Sequence, residues 1–193
     1  MEYSRIAPIM GRLWSPIAAV TSQWQGKSNA QIAVAIAAAS IVPDMPRVLL
    51  QIYKTNYSHD LIYNSGSFAL NFLRQDQLEL INDFGLVSGR DRDKLLGVAH
   101  APRATGSPVL DDCWGFLDCR VVNAMDGGDM TCFLGDVLDG ETLSQAEPLY
   151  WRDARREIPA AWNEEWDRKI SGEIEVSKRR MPNLDFKPWQ PKA

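Results

Sequence analysis

The sequence predicts a mainly β protein, built as an antiparallel sheet or barrel with few helices. Short apolar runs containing β-branched and aromatic residues recur between positions 17 and 138, and clusters of polar residues, glycine or proline separate them. Asp126-Gly127-Gly128-Asp129 lies between two of these runs and is typical of a hairpin turn. Because the runs outnumber the segments with helical character, we expect strands to dominate the fold.

The amino-terminal elements begin with a strand over residues 17–21, followed by a turn in the polar cluster 25–29. Residues 30–42 are ambiguous: their alanines favour a helix, whereas a bounded apolar run is equally compatible with a strand buried on both faces. A further strand is expected over residues 48–53. It leads into a helix that starts near residue 56, with Ser58 as its N-cap.

The later elements continue the β pattern. Residues 68–73 predict a strand, residues 77–85 a short helix, and residues 114–122 a segment that pairs in the sheet. The turn at Asp126 is expected to join residues 119–123 to residues 131–138 as a hairpin.

The chain has the size and composition of one folded domain, with 193 residues, of which 45% are hydrophobic and 24% charged. Its net charge of −4 argues against general nucleic-acid binding, which needs clustered Lys and Arg. The longest apolar stretch is shorter than the roughly 20 residues that cross a bilayer, and no secretory leader is recognisable. We therefore expect a cytoplasmic protein with neither a membrane nor a nucleic-acid partner.

We place the domain at residues 1–152 and a C-terminal extension at residues 153–193. Three tryptophans of the extension, Trp162, Trp166 and Trp189, lie among charged residues. Aromatic rings at this density rarely stay in water, so we expect the extension to wrap a partner subunit, with disorder as the alternative. The three cysteines form no C-x-x-C pair, so we expect buried, reduced thiols, and the two histidines have no metal-ligand spacing.

An ordered series of segments resembles the flavin reductase-like family, in its flavoredoxin branch. The common nucleotide-binding motifs are absent. The segments are residues 16–21 (PIAAVT), Gly26 with Asn29-Ala30, residues 57–62 (YSHDLI), 67–71 (SFALN), 88–94 (SGRDRDK), 108–110 (PVL), 117–121 (LDCRV), 128–129 (GD) and 135–137 (GDV). The resemblance spans roughly residues 8–152. It implies an FMN-binding split β-barrel that forms a homodimer, with the flavin in a groove at the subunit interface.

The resemblance also implies the flavin-binding positions. Asn29 and the backbone at Ala30 would lie near the ring and ribityl chain, residues 54–58 would grip the phosphate, and the loop that begins at Ser88 would lie near the flavin. The full set is Thr21, Asn29, Ala30, Lys54, Thr55, Asn56, Ser58, Ser88, Gly89, Arg90 and Lys94. Without the resemblance, the same residues also suit a turn asparagine, an ordinary capped helix and a solvated charge run.

The implied activity is NAD(P)H-dependent reduction of FMN, or of FAD, with electrons passed to a flavin-dependent oxygenase or another acceptor. The flavin accepts hydride at its N5, so a missing acid or base excludes nothing. Two departures favour an alternative, a flavin-binding protein of the same fold with little or no reductase activity. Met130 stands where many members have His, and residues 32–36 are apolar where many have Ser or Thr. A domain that has lost its flavin is a third hypothesis.

Overall fold

A seven-stranded antiparallel sheet forms the frame of the molecule, in the strand order β2-β1-β5-β8-β9-β4-β3. The computed structural model describes residues 2–190. The sheet curls into a half-barrel, and a separate two-stranded sheet pairs β6 with β7. The predicted fold, mainly β with few helices, is therefore confirmed.

The strands are β1 (Ala18–Trp24), β2 (Lys27–Ala33), β3 (Ile36–Ala38), β4 (Arg47–Tyr53), β5 (Ser67–Phe72), β6 (His100–Pro102), β7 (Pro108–Leu110), β8 (Gly115–Asp126) and β9 (Met130–Thr142). The helices are α1 (Ala7–Met10), α2 (Tyr57–Ser65), α3 (Glu79–Gly85), α4 (Trp151–Glu157) and α5 (Ala160–Arg180), and a 3-10 turn covers Tyr3–Arg5.

Both predicted turns occur, although the first is tighter than expected. The backbone turns at Gln25 and Gly26, with positive φ angles of 49° and 74°, as two-residue hairpin loops require. Residues 27–29, which we expected in the turn, belong to β2 and pair with β1 instead. The second turn joins β8 to β9, with Asp126 opposite Thr131. The predicted hairpin at residues 126–129 is confirmed.

The ambiguous segment 30–42 is extended, not helical. It continues β2 to Ala33 and then forms β3, which pairs with β4. Ala30 is fully buried and lies opposite Thr21 in the register of β1 and β2. Strand pairing and burial therefore override the helix propensity of the alanines.

Two hydrophobic cores cover the two faces of the sheet, and successive residues of β1 alternate between them. Ala19 belongs to the first core, together with Phe84 of α3. Ala18 and Val20 belong to the second core, together with Phe133 of β9. Because both faces of β1 are buried at its start, residues Ala18, Ala19 and Val20 are all apolar instead of alternating.

The C-terminal extension is helical up to Arg180, so the described part of it is not disordered. Trp162 and Trp166 of α5 pack against the first core, and Trp189 packs against the second. The expected wrapping of a partner subunit stays a prediction, because it concerns a second chain. Pro191 and the two residues after it lie outside the described part of the chain.

Other expectations concern metals, thiols and membranes. Cys113, Cys119 and Cys132 are all free thiols; the first two are buried as expected, whereas Cys132 is only half-buried. Within residues 2–190, no group of His, Cys, Asp and Glu side chains is placed to hold a metal ion. Over the same residues, none of the helices combines the length and the apolar character that a bilayer crossing needs.

Candidate functional site

A cleft of about 380 Å³ opens where β2, the start of α2, the end of α3, the following loop and α5 meet. Its volume lies in the range of small-molecule sites. Seven of the eleven predicted site residues line it: Asn29, Thr55, Asn56, Ser88, Gly89, Arg90 and Lys94. The other four, Thr21, Ala30, Lys54 and Ser58, do not line this cleft. The structure thus brings three separated sequence segments to one place.

Asn29 is the centre of the polar wall. It is only 2% exposed, and its Nδ2 donates a hydrogen bond of 2.8 Å to Oγ of Ser58. A methyl group at position 89 would overlap Oδ1 of Asn29, so only glycine allows the loop to approach this closely. Ser58 and Gly89 therefore fix the orientation of the Asn29 amide from two sides.

The expected N-cap role of Ser58 is wrong. Helix α2 starts after Asn56, which is the N-cap residue with extended backbone geometry and makes no side-chain cap bond. Ser58 lies inside the first turn, is fully buried and accepts the bond from Asn29. A hydroxyl near a helix start predicted a cap, whereas the tertiary contact with β2 uses it as an acceptor.

Three buried polar atoms of residues that line the cleft have no hydrogen-bond partner within the described protein. They are Oδ1 of Asn29, Oε1 of Gln31 and Oγ1 of Thr55. A buried polar group without a partner costs about 1–3 kcal/mol. Such atoms therefore mark where a bound molecule can supply hydrogen bonds.

A cation lies beside the first turn of α2. The Arg90 guanidinium donates a hydrogen bond of 3.1 Å to the carbonyl oxygen of Thr55 and one of 2.7 Å to the carboxylate of Asp60. It also lies 5.2 Å from the centroid of the Tyr57 ring. Helix N-termini attract anions, and an adjacent arginine adds donors for a phosphate. This end of the cleft can bind an anionic group.

The Lys94 amine is buried and points into the protein frame. The residue is 6% exposed, and its Nζ donates 3.0 Å to the carbonyl of Ala30 and 2.7 Å to that of Phe84. Burial lowers the pKa of Lys94 to about 7, and the charges of Lys169 and Arg92 act in the same direction. Lys94 therefore links β2 to the C-terminal end of α3 and places Ala30 behind the cleft wall.

The other predicted residues have partners elsewhere. The Thr21 hydroxyl is fully buried, donates to the Pro108 carbonyl and accepts 3.1 Å from Nδ2 of Asn71. Lys54 forms an ion pair of 2.5 Å with Asp126 and lines a second cleft. Lys54 therefore faces away from the neighbouring Thr55, although both belong to the predicted phosphate grip.

Sequence reasoning placed Ile32 beside the flavin but missed the side of the cleft that α5 forms. Ile32 of β2 lines the cleft within the apolar stretch that departs from the family pattern. Helix α5 adds four lining residues: Trp166, Lys169, Ile170 and Glu173. Their spacing of three and four residues places them on one face of a helix. That pattern was readable in the sequence, but it did not reveal which surface the face covers.

The fold defines the class, a split β-barrel protein, and the cleft beside β2 has the volume of a small-molecule site. The family model described as flavin reductase like domain matches residues 10–159, so the chain belongs to the flavin reductase-like family. The resemblance noted in the sequence is thereby confirmed.

Two individual relatives match this chain over similar numbers of residues. The chain is 30% identical over 142 residues to a high molecular weight rubredoxin of Moorella thermoacetica. The match covers 71% of this chain and 61% of the rubredoxin, so the chain spans less than two thirds of the length of this relative. It is 31% identical over 136 residues to a ferric-chelate reductase (NAD(P)H) of Archaeoglobus fulgidus, covering 69% and 79%.

Among solved structures, nitrilotriacetate monooxygenase component B from Mycobacterium thermoresistibile superposes with a TM-score of 0.65. The sequences are 27% identical, and the match covers 76% of this chain and 80% of the other.

Proposed function

We propose that the protein is an FMN-dependent oxidoreductase that takes hydride from NAD(P)H and passes electrons to an acceptor. The observation that carries the proposal is the set of three buried, unpaired polar atoms beside a cationic helix start, in the cleft of a flavin reductase-like domain. FAD is the alternative flavin, because the proposal rests on the parts that the two flavins share.

The residues of the cleft fit FMN at both ends. Its phosphate suits the end with Arg90 and the Thr55 hydroxyl, where a cation, a donor and the start of α2 meet. Its ring and ribityl donors suit the acceptor oxygens of Asn29 and Gln31. Its apolar ring faces suit Ile32 and the indole of Trp166.

When bound, FMN supplies hydride acceptance at N5, and the protein supplies binding and orientation. The Asn29 amide, fixed by Ser58 and Gly89, would hold the polar edge of the flavin ring. No titratable side chain has to exchange a proton in this account. The buried Lys94 acts by holding the wall, since its amine is occupied by two carbonyls.

The first experiment is a visible spectrum from about 350 to 500 nm of protein purified without added flavin, followed by anaerobic FMN and then NADH or NADPH. We expect a flavin band that either nicotinamide bleaches. Absence of binding would overturn the proposal and favour a domain that has lost its flavin. Bound FMN that both nicotinamides leave oxidised would instead favour the second candidate.

The second candidate is a flavin-binding protein of the same fold with little reductase activity. The position of Ile32 favours it, because this apolar side chain lines the cleft where many relatives place a hydroxyl. Each lost neutral hydrogen bond costs about 0.5–1.5 kcal/mol, so FMN binding survives one such loss.

The partner and the location belong to the same proposal. We propose a homodimer, supported by the loop between β3 and β4, where Ile41 is 99% exposed and Met45 61% exposed. Light scattering that gives the monomer mass at micromolar concentration would contradict the homodimer. We also propose a cytoplasmic protein whose electron acceptor is a flavin-dependent oxygenase; the similarity to component B of a nitrilotriacetate monooxygenase supports this acceptor. Coupled turnover with and without such an oxygenase tests the acceptor.

A further inference from the structure

Helix α5 lies outside the region that matches the family and still forms part of the cleft. The match ends at residue 159, and α5 begins at Ala160. Trp166, Lys169, Ile170 and Glu173 nevertheless line the cleft that the family domain forms. An element added to the domain thus closes one side of the domain's own site.

The middle of α5 is fixed to the end of α3. The Trp166 ring lies over Gly85, where a methyl group would overlap the indole. The Lys169 ammonium donates to the Gly85 carbonyl, at the negative end of the α3 dipole. The Trp166 ring also packs on Trp151 of α4, with 4.6 Å between ring centroids.

The start of α5 is held by α4. The Arg155 guanidinium makes two parallel bonds of 2.9 and 3.0 Å to the Asp167 carboxylate. Nδ2 of Asn163 donates 3.1 Å to the carbonyl of Arg155. These contacts set the direction in which α5 leaves the domain.

The far end crosses to the β8–β9 hairpin. A methyl group at Gly128 would lie 2.8 Å from the Met181 carbonyl oxygen, so the chain passes directly over the turn. Beyond it, the Asp185 amide donates 3.2 Å to the Asp126 carboxylate. Helix α5 therefore runs along the cleft between two anchored ends, one at α3 and α4 and one at the hairpin.

The contacts of α5 with the body are few in relation to its length. None of its described side chains is fully buried, and the face toward the body mixes Trp and Ile with Lys and Glu. Because α5 has no fully buried side chain, it opens at a lower free energy than the core unfolds. It can cover a bound molecule and still release it.

We propose that α5 is a cover that retains the flavin, so that FMN is a resident cofactor of this protein and not a freely exchanging substrate. The inference rests on the proposed flavin site. The covering contacts are Trp166 and Ile170, whose apolar surfaces exclude water from the ring, and departure of the flavin requires α5 to lift. Without α5, the Ile32 side of the cleft is open to solvent.

The test compares the full chain with a chain that ends after Pro159, both loaded with FMN and passed through desalting columns at timed intervals. We expect the shorter chain to release FMN at least about tenfold faster. The reason is that the flavin ring would lose its apolar contacts with Trp166 and Ile170. The shorter chain should also purify with less flavin. Circular dichroism and a thermal midpoint verify its fold, because the truncation also removes Trp162, Trp166 and Trp189, which pack against the two cores.

Point variants keep the test independent of truncation. Trp166→Ala should release FMN several-fold faster, whereas Glu165→Gln, an exposed neighbour on the same helix, should release it at the rate of the natural chain. Equal release rates for the natural chain, the truncated chain and Trp166→Ala would overturn the cover. If the full chain binds no FMN, the proposed function itself fails, and the cover falls with it.

Discussion

The two sides of the cleft are built in opposite ways. On the side formed by β2, α2 and the loop at residue 89, buried polar residues in fixed pairings, such as Asn29 with Ser58, lie near the apolar Ile32 and the exposed Arg90. The α5 side consists of half-buried residues from one helix that follows the family domain. A side built by buried, strand-anchored groups can select a ligand, whereas under the cover proposed above a helix without fully buried side chains would control how long the ligand stays.

Among the variants of the polar side of the cleft, Gly89→Val is expected to weaken FMN binding most. Its side chain would overlap the Asn29 amide, which cannot move without losing its bond to Ser58. We expect FMN affinity to fall about 100-fold, the cost of one displaced buried amide and its hydrogen bonds. Isothermal titration with FMN measures it.

Gly172→Ala is the matched glycine control, because nothing lies near position 172. If Gly89→Val bound FMN as well as the natural chain, Asn29 would not contact the flavin.

Arg90→Met tests the end of the cleft that we expect to bind the flavin phosphate. We expect FMN binding to weaken about tenfold, as for loss of one charge-assisted bond, while riboflavin, which has no phosphate, binds unchanged. Fluorescence titration with both flavins measures the difference.

Arg92→Met is the control, since Arg92 pairs with Asp83 and does not line the cleft. An equal loss for FMN and riboflavin would place the phosphate elsewhere in the protein.

Lys94→Met tests whether the buried Lys94 amine makes the stability of the protein depend on pH. The pKa of Lys94 is about 7 in the folded chain and near 10.5 in the unfolded chain. Between these pH values the unfolded chain binds more protons, so natural-chain stability rises from pH 7 toward pH 10.5. Below pH 7 both states are charged, and this group adds no pH dependence.

We expect the variant to lose this rise, on the order of 1 kcal/mol between pH 7 and pH 9. Urea unfolding at the two pH values measures it. A rise of the same size in the variant would show that another group causes it.

The smallest expected effect is on the α5 side. Gly172→Ala should stabilise the protein by about 0.5–1 kcal/mol, because glycine weakens a helix interior and the position is open to solvent. Thermal unfolding followed at 222 nm measures the gain. No change in the midpoint would indicate that α5 separates from the body before the domain unfolds.

The sequence by itself determined the parts that depend on local chemistry or on an ordered series of motifs. Gly128, with a φ angle of 92°, favours the hairpin turn, because few residues other than glycine adopt this backbone conformation. The order of short segments identified the family and led to Asn29, Thr55, Gly89 and Arg90, which the folded chain gathers in one cleft.

The ion-pair and packing partners of these residues depend on the folded chain and are not visible in the sequence. Lys54 and Thr55 are neighbours in sequence, yet one pairs with Asp126 and the other lines the cleft. Residues 30–42 became extended because β1 and β4 offered strand partners. The place of α5 depends on Gly85, some 80 residues earlier. Long-range contacts of this kind bring together residues whose separation leaves no local pattern, so a sequence read segment by segment does not contain them.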